Sequence, residues 1–327
     1  MRFRFLSFLL IGLLSLTMSG QNSIDLRAVF NIEKKQIGVS QTIIYQNTSK
    51  DTLETIYLNN WDNSYATKKT PLATRMADEY KTEFHFAKNE DRGYSLITSI
   101  KQNQQELTYE ALPGQIDVVK VKLNTPLKPN ESYVLDLSYI VQIPSDKFTG
   151  YGMTPSGDIN LRYWYITPAI YNGEWQYYSN KDLDDLYIPE ANLALEIICP
   201  KDYFITSELN VSSVNQNEVS QTVRLNGKNR VNNKLFLSKK PAFNSIQTDN
   251  FTIISDIDDP NLAMIDKVLI TEKITKFIFE NLGNYPHEKL LLTNIDYSKD
   301  PIYELNFLPK FVHPYPDNFQ YELKLLK

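Results

Sequence analysis

NLRYWYITPAIYNGEWQYYSNKDLDDLYIPEANLALEIICP, running from Asn160 to Pro200, is the stretch whose reading decides the fold. Between Tyr163 and Tyr187 it carries eight aromatic residues (Tyr163, Trp164, Tyr165, Tyr171, Trp175, Tyr177, Tyr178 and Tyr187), where a 12% aromatic chain would place about three. Aromatic side chains bury large areas, so this density predicts core and inter-sheet packing; a carbohydrate-stacking surface is the less favoured alternative. Apolar residues then alternate through Leu193, Leu195 and Ile197, the period of a half-buried strand, and Pro200 closes it. Aromatic loop and strand read as one packed unit.

Upstream, alternation from Ile24 to Ile32 and again from Ile37 to Tyr45 predicts two antiparallel strands around the turn Glu33 to Lys35, with Leu53 to Trp61 returning as a third. Thr70 before Pro71 is a helix start, hydroxyl at the N-cap and proline at the first helical position. Leu72, Met76 and Tyr80 at four-residue spacing predict a short amphipathic helix covering the sheet. Strand patterns resume at Val119 to Leu123 and at Tyr133 to Ile143.

Downstream, short strands are expected near Phe204 to Ser207, Val211 to Val214, Val219 to Leu225 and Lys234 to Leu237. After Pro241 the pattern changes to a strand at Phe251 to Ser255, a long helix and a buried-type strand at Lys289 to Thr293. The helix is marked by Leu262, Ile265, Leu269, Lys273 and Phe277, with Val268, Ile274 and Ile278 beside them, and Gly283 follows it as a C-cap. Strand, helix, strand is an α/β beginning, which sets a boundary near Pro241 to Asn250.

The 327 residues suffice for two domains, and 42% hydrophobic content supports a packed core. Arg2 and Arg4 precede an apolar run from Phe5 to Leu16 and the small residues Ser19 and Gly20, the layout of a secretory signal peptide. Export to the periplasm or outside the cell is therefore expected, with no stable membrane span once residues 1–20 are removed. Without Arg2 and Arg4, 32 basic residues face 39 acidic ones, a net charge of −7. No basic stripe is present, which argues against nucleic acid. Cys199, the single cysteine, is expected to be a buried, inert thiol.

Three motifs give a resemblance. Arg162 to Pro168 reads R-x-W-Y-x-x-P, Ser179 to Leu186 reads S-N-x-D-L-D-D-L, and Ile197 to Leu209 is a strand, a P-K turn and a following T-S-x-L. Together they resemble the strand-rich N-terminal domain of the zinc aminopeptidases related to aminopeptidase N and leukotriene hydrolase, gluzincin metallopeptidases, in the version common in Bacteroidetes-type bacteria. Gly283, Tyr285, Pro286 and Lys289 stand where that family's thermolysin-like domain opens with G-x-Y-P-x-x-K. The resemblance implies a mainly β N-terminal domain of saddle-like antiparallel sheets over residues 21–245, followed by the start of an α/β thermolysin-like domain over 246–327, incomplete as it stands. It also implies an activity, removal of N-terminal residues from peptides, and zinc as cofactor.

The residues for that chemistry are missing from these 327. A gluzincin holds zinc with two His one helical turn apart and a Glu beside the first as general base. Of His85, His287 and His313, only His287 precedes a Glu, and Leu291 occupies the second ligand's place. No catalytic or metal-binding residue is therefore assigned, and zinc would require a longer form carrying the ligands. The family's G-x-M-E-N strand, whose Glu holds the substrate's amino group, corresponds to Ile302 to Asn306. Asn306 matches its last position and Glu304 stands one residue early, which turns its side chain to the other face unless a bulge intervenes. Glu304 and Asn306 are the candidate substrate-binding residues.

Near the end, Phe319, Leu323 and Leu326 start an apolar stripe with little to bury against before Lys327. Two readings fit: the front part of a longer protein, or a branch whose helix lost HExxH and which acts as an extracytoplasmic peptide- or glycan-binding module. Asn180, Asp182, Asp184 and Asp185 imitate a calcium loop, but Asp185 replaces its glycine and Ala191 its final Glu; they are read as an acidic turn capping the next element.

Overall fold

The computed structural model describes residues 21–183, 186–231, 233–299 and 325; the leader at 1–20 lies outside them. The predicted hairpin is present as β1 (Asn22–Asn31) and β2 (Gln36–Gln46), with alternate side chains buried along both. The third strand, β3 (Leu53–Asn59), leaves this sheet for another. After a 3-10 turn at Trp61–Tyr65 and helix α1 (Pro71–Asp78) come β4 (Tyr94–Gln102), β5 (Gln105–Glu106), β6 (Tyr109–Leu112), β7 (Gln115–Leu127) and β8 (Ser132–Gln142).

The aromatic stretch makes only short strands: β9 (Gly152–Met153), β10 (Ile159–Arg162), β11 (Thr167–Pro168), β12 (Ile170–Tyr171) and β13 (Trp175–Gln176). Then follow β14 (Ala191–Pro200), β15 (Phe204–Ser207), β16 (Asn210–Gln216), β17 (Ser220–Arg230) and β18 (Lys234–Ser238). Last come β19 (Asn244–Gln247), β20 (Thr252–Ser255), α2 (Met264–Leu282), β21 (Lys289–Leu292) and α3 (Asn294–Lys299).

An eight-stranded sheet in the order β16-β17-β14-β1-β2-β8-β4-β5 forms one layer. Two four-stranded sheets, β11-β3-β7-β6 and β15-β18-β10-β9, supply the rest of the main core. Ile24, Leu26, Leu195 and Ile197 from the large sheet share one buried cluster with Ile56, Val121, Ile159, Leu235 and Trp164 from the others. Each fully buried side chain of this size contributes about 1.5–3 kcal/mol. The sheets are not wholly antiparallel as expected: β1 runs parallel to β14, Leu26 beside Leu195. Parallel neighbours need a long crossover, and here nearly the whole β body lies between them.

Inside the core, Gln41 on β2 donates to the Ile166 carbonyl at 2.6 Å and accepts from the Tyr139 hydroxyl of β8, while the Ile166 N–H donates to that hydroxyl at 3.2 Å. The backbone of the aromatic run is thereby hydrogen-bonded although buried, as an interior loop must be. Trp164 packs beside Phe30 and Tyr165, and Trp175 beside Tyr45, Tyr57 and Tyr171. Packing is thus what most of this block does. Cys199 is buried as expected, and burial pushes its thiol up to about 11.

Helix α1 begins as read, Thr70 Oγ1 accepting from the Ala73 N–H at 3.3 Å. Leu72 and Met76 bury against Tyr65, Phe84 and Phe148, a satellite cluster rather than the main sheet. Tyr80 does not join them: it lies past the helix end with φ 60° and is exposed.

Strand β20 pairs in parallel with β21 across α2, and β19 pairs antiparallel with β20, making a small mixed sheet. The expected helical residues divide between two faces. Leu262 and Ile274 pack inward with Ile270, beside buried Thr271 and Thr275, whereas Ile265, Leu269 and Phe277 are exposed. Leu325, outside the stripe read for the last segment, is buried in a cluster with Ile257 and partly buried Ile274 and Leu292; Phe319, Leu323 and Leu326 lie outside the described residues. Among these residues no helix is long and apolar enough to cross a membrane.

Candidate functional site

The polar side chains that the fold gathers most tightly lie where the β body meets the β19–β20–β21 sheet. Asp117 on β7 is fully buried and accepts from Ser179 Oγ at 2.7 Å and from the Asn180 N–H at 2.8 Å. Burial pushes its pKa up, opposed by those two donors. Asn180 donates to Ser64 Oγ at 3.0 Å and accepts from the Leu183 N–H at 3.0 Å. Trp61 Nε1 donates to the Tyr178 carbonyl at 2.9 Å. The buried carboxylate therefore pins the S-N-x-D-L segment to β7, and the Asn180–Ser64 and Trp61–Tyr178 bonds tie the same segment to the turn after β3. The bond from Leu183 to Asn180 closes the turn on itself rather than reaching the next element, β14, and Asp182 lies 3.7 Å from Arg75; Asp184 and Asp185 are outside the described residues.

Next to this anchor, Trp61, Tyr151, Tyr163, Leu183 and Phe236 of the body bury together with Leu291 of β21. The charged members surround Asp296 in the first turn of α3. Tyr151 donates to it at 2.8 Å and Thr293 at 3.1 Å, Lys234 on β18 pairs with it, and Arg162 on β10 lies 3.9 Å away. Burial would raise the Asp296 carboxyl, but the charges of Lys234 and Arg162 and the Tyr151 bond more than offset it and hold the group below its usual value. Arg162 also lies over the Tyr163 ring at 4.9 Å, whose edge meets Trp61 at 5.1 Å between centroids.

Such a network positions and orients. The ion pair and its hydrogen bonds fix β21 and α3 against the body. Asp62, in the same turn as Trp61, is buried, and burial pushes its carboxyl up to about 8.

The candidate residues read from sequence do not come together here. Glu304, Asn306 and His313 lie outside the described residues. His287 stands in the turn before β21, not on a helix, its ring edge-on to Tyr285 at 5.4 Å. His85 is exposed beside Phe86. Among the described residues no three His, Cys, Asp or Glu side chains cluster as metal ligands would.

Sequence reading missed Asp117, Lys234 and Asp296. Asp117 had a usable signal, an acid inside the run Ile116 to Val119. Lys234 and Asp296, far apart in sequence, had none.

No family model matches the chain, and no curated protein matches it. Among solved structures it is similar to the M1 zinc metallopeptidase from Deinococcus radiodurans, at 13% identity and TM-score 0.47. A point mutant from the same organism gives 12% and 0.49, and a two-domain M1 zinc metallopeptidase mutant bound to L-arginine gives 13% and 0.48. Each alignment covers 84% of this chain and 56% of the other, so the chain spans little more than half the length of these proteins.

Proposed function

We propose that this chain is the β-rich front part (21–245) and the opening of the peptidase domain (246–327) of an exported protein similar to zinc aminopeptidases, which remove N-terminal residues from peptides. The observation that supports this reading is convergence. Arg162 of the R-x-W-Y-x-x-P run, Asn180 and Leu183 of the acidic segment, and Leu291 and Asp296 beyond the G-x-Y-P turn meet in one seam. Motifs far apart in sequence are thus side by side, as parts of one architecture would be.

Glu304 and Asn306 are the residues proposed to meet a peptide's amino terminus. Zinc ligands would have to come from outside these 327 residues, since the sequence holds no HExxH.

The complete coding frame decides the matter. Its purified product is expected to carry one zinc ion per chain and to hydrolyse alanyl- or leucyl-p-nitroanilide until a chelator is added, and N-terminal sequencing of the exported form should begin near residue 21. A frame product without zinc or hydrolysis overturns the enzyme reading. A non-catalytic peptide- or glycan-binding module is then the alternative, favoured by the exposed rings of Tyr178 and Tyr187 beside the seam.

A further inference from the structure

β17 holds register with β14 as far as Gly227, opposite Leu193, and then gains a residue, so that Arg230 faces Ala191. The bulge turns through Asn229 at φ 54°, and bulges of this kind re-aim the following side chain. A Cβ at Gly227 would stand 2.6 Å from Leu209 Cδ2 and 3.0 Å from Arg230 Nε, so both side chains would have to shift to admit one.

Arg230 is consequently only 6% exposed. One of its terminal nitrogens donates to the Glu208 carbonyl at 3.4 Å, while its Nε finds no acceptor among the described residues. Glu208, whose carboxyl feels the Arg230 charge, is itself buried, and burial raises its pKa against the pull of Lys234 and Arg230, with Oε1 taken by the Lys234 N–H at 3.0 Å. A buried guanidinium with an idle donor is costly unless an anion completes it.

Arg230 lines a pocket of about 550 Å3 between the end of β17 and the Pro286–Glu288 turn, within the size range of small-molecule sites. His287 is half-buried in its lining, and Lys228, Glu190 and Glu288 are all exposed at its mouth. Asn210 donates to Glu288 at 3.3 Å.

We propose that this pocket binds a small zwitterion of the amino acid type, its carboxylate on Arg230 and its ammonium toward Glu190 and Glu288. The planar guanidinium fork suits a carboxylate. A doubly charged anion such as phosphate would meet the two rim carboxylates, whereas a zwitterion offers each wall its opposite charge. This inference does not rest on the peptidase reading.

The test is a titration of the full chain with L-alanine, propionate and inorganic phosphate, read by amide chemical shifts. Alanine is expected to saturate shifts at Asn210, Gly227 and His287, with propionate on the same amides about tenfold weaker and phosphate without effect. Arg230→Gln should abolish the shifts. Because that change touches a buried group, Glu190→Gln at the exposed mouth is the second variant: alanine should weaken toward the level of propionate, Glu288 remaining, and propionate should be unchanged. Phosphate binding more tightly than alanine, unaltered alanine binding in Glu190→Gln, or the absence of saturable shifts with alanine would overturn the proposal.

Discussion

Asp62 has 7% of its surface exposed and makes no hydrogen bond or ion pair among the described residues, and burial lifts its pKa to about 8. In the unfolded chain an Asp titrates near 3.9. Between those values the unfolded state has lost a proton that the folded state keeps, so this group makes stability fall as pH rises from about 4 to about 8. Asp62→Asn keeps the shape and cannot ionise. Urea unfolding should find it close to the parent near pH 4.5 and more stable near pH 8.5, by roughly a few kcal/mol; a difference that does not grow with pH would refute the assignment. Asp117 is buried more completely, yet two donors oppose the rise. The sequence shows an acid in a turn and an acid in a strand, and only their surroundings separate them.

At the scale of the element, local chemistry is what the sequence carries best. Thr70 and Pro71 mark the start of α1 because both act through backbone geometry within three residues. Thr70→Ala removes the cap to Ala73 and the 2.6 Å bond to the Ser64 carbonyl, and should cost about 1–2 kcal/mol in denaturant unfolding. Helix α2 shows the limit of such reading. Its apolar residues occur on both sides, Ile265, Leu269 and Phe277 on one and Ile270, Ile274 and Ile278 on the other, so periodicity identifies a helix without choosing its buried face. The sheet makes the choice. Behind the inward face a cavity of about 100 Å3 remains, lined by Phe251, Ile253, Ile274, Ile278, Leu290 and Leu325.

For the whole molecule, the decisive contact is the seam. Asp296→Asn keeps the Tyr151 and Thr293 partners but removes the charge that Lys234 and Arg162 share. Because a third of the Asp296 side chain is exposed, the loss should be about 1–2 kcal/mol, less than for a fully buried pair. Hydrogen exchange should locate it: protection falls in β20 and β21 while β1, β2 and β14 hold theirs. Equal loss in both would mean that the two sheet systems unfold as one.

The sequence by itself determined where the longer alternating strands (β1, β2, β3, β7, β8, β14) and the helices α1 and α2 lie, though not β4, β6, β19 or the short strands of the aromatic stretch, together with the packing role of that stretch and the absence of HExxH, because alternation, caps and motif spacing act over a few residues. Tertiary structure alone decided that β1 lies parallel to β14, that β3 leaves the hairpin's sheet, which side of α2 is covered, and that Arg162, Lys234 and Asp296 share a site. Those outcomes depend on burial and charge between residues more than a hundred positions apart for β1 and β14, and sixty-two apart for Lys234 and Asp296. No local pattern encodes a partner at that distance.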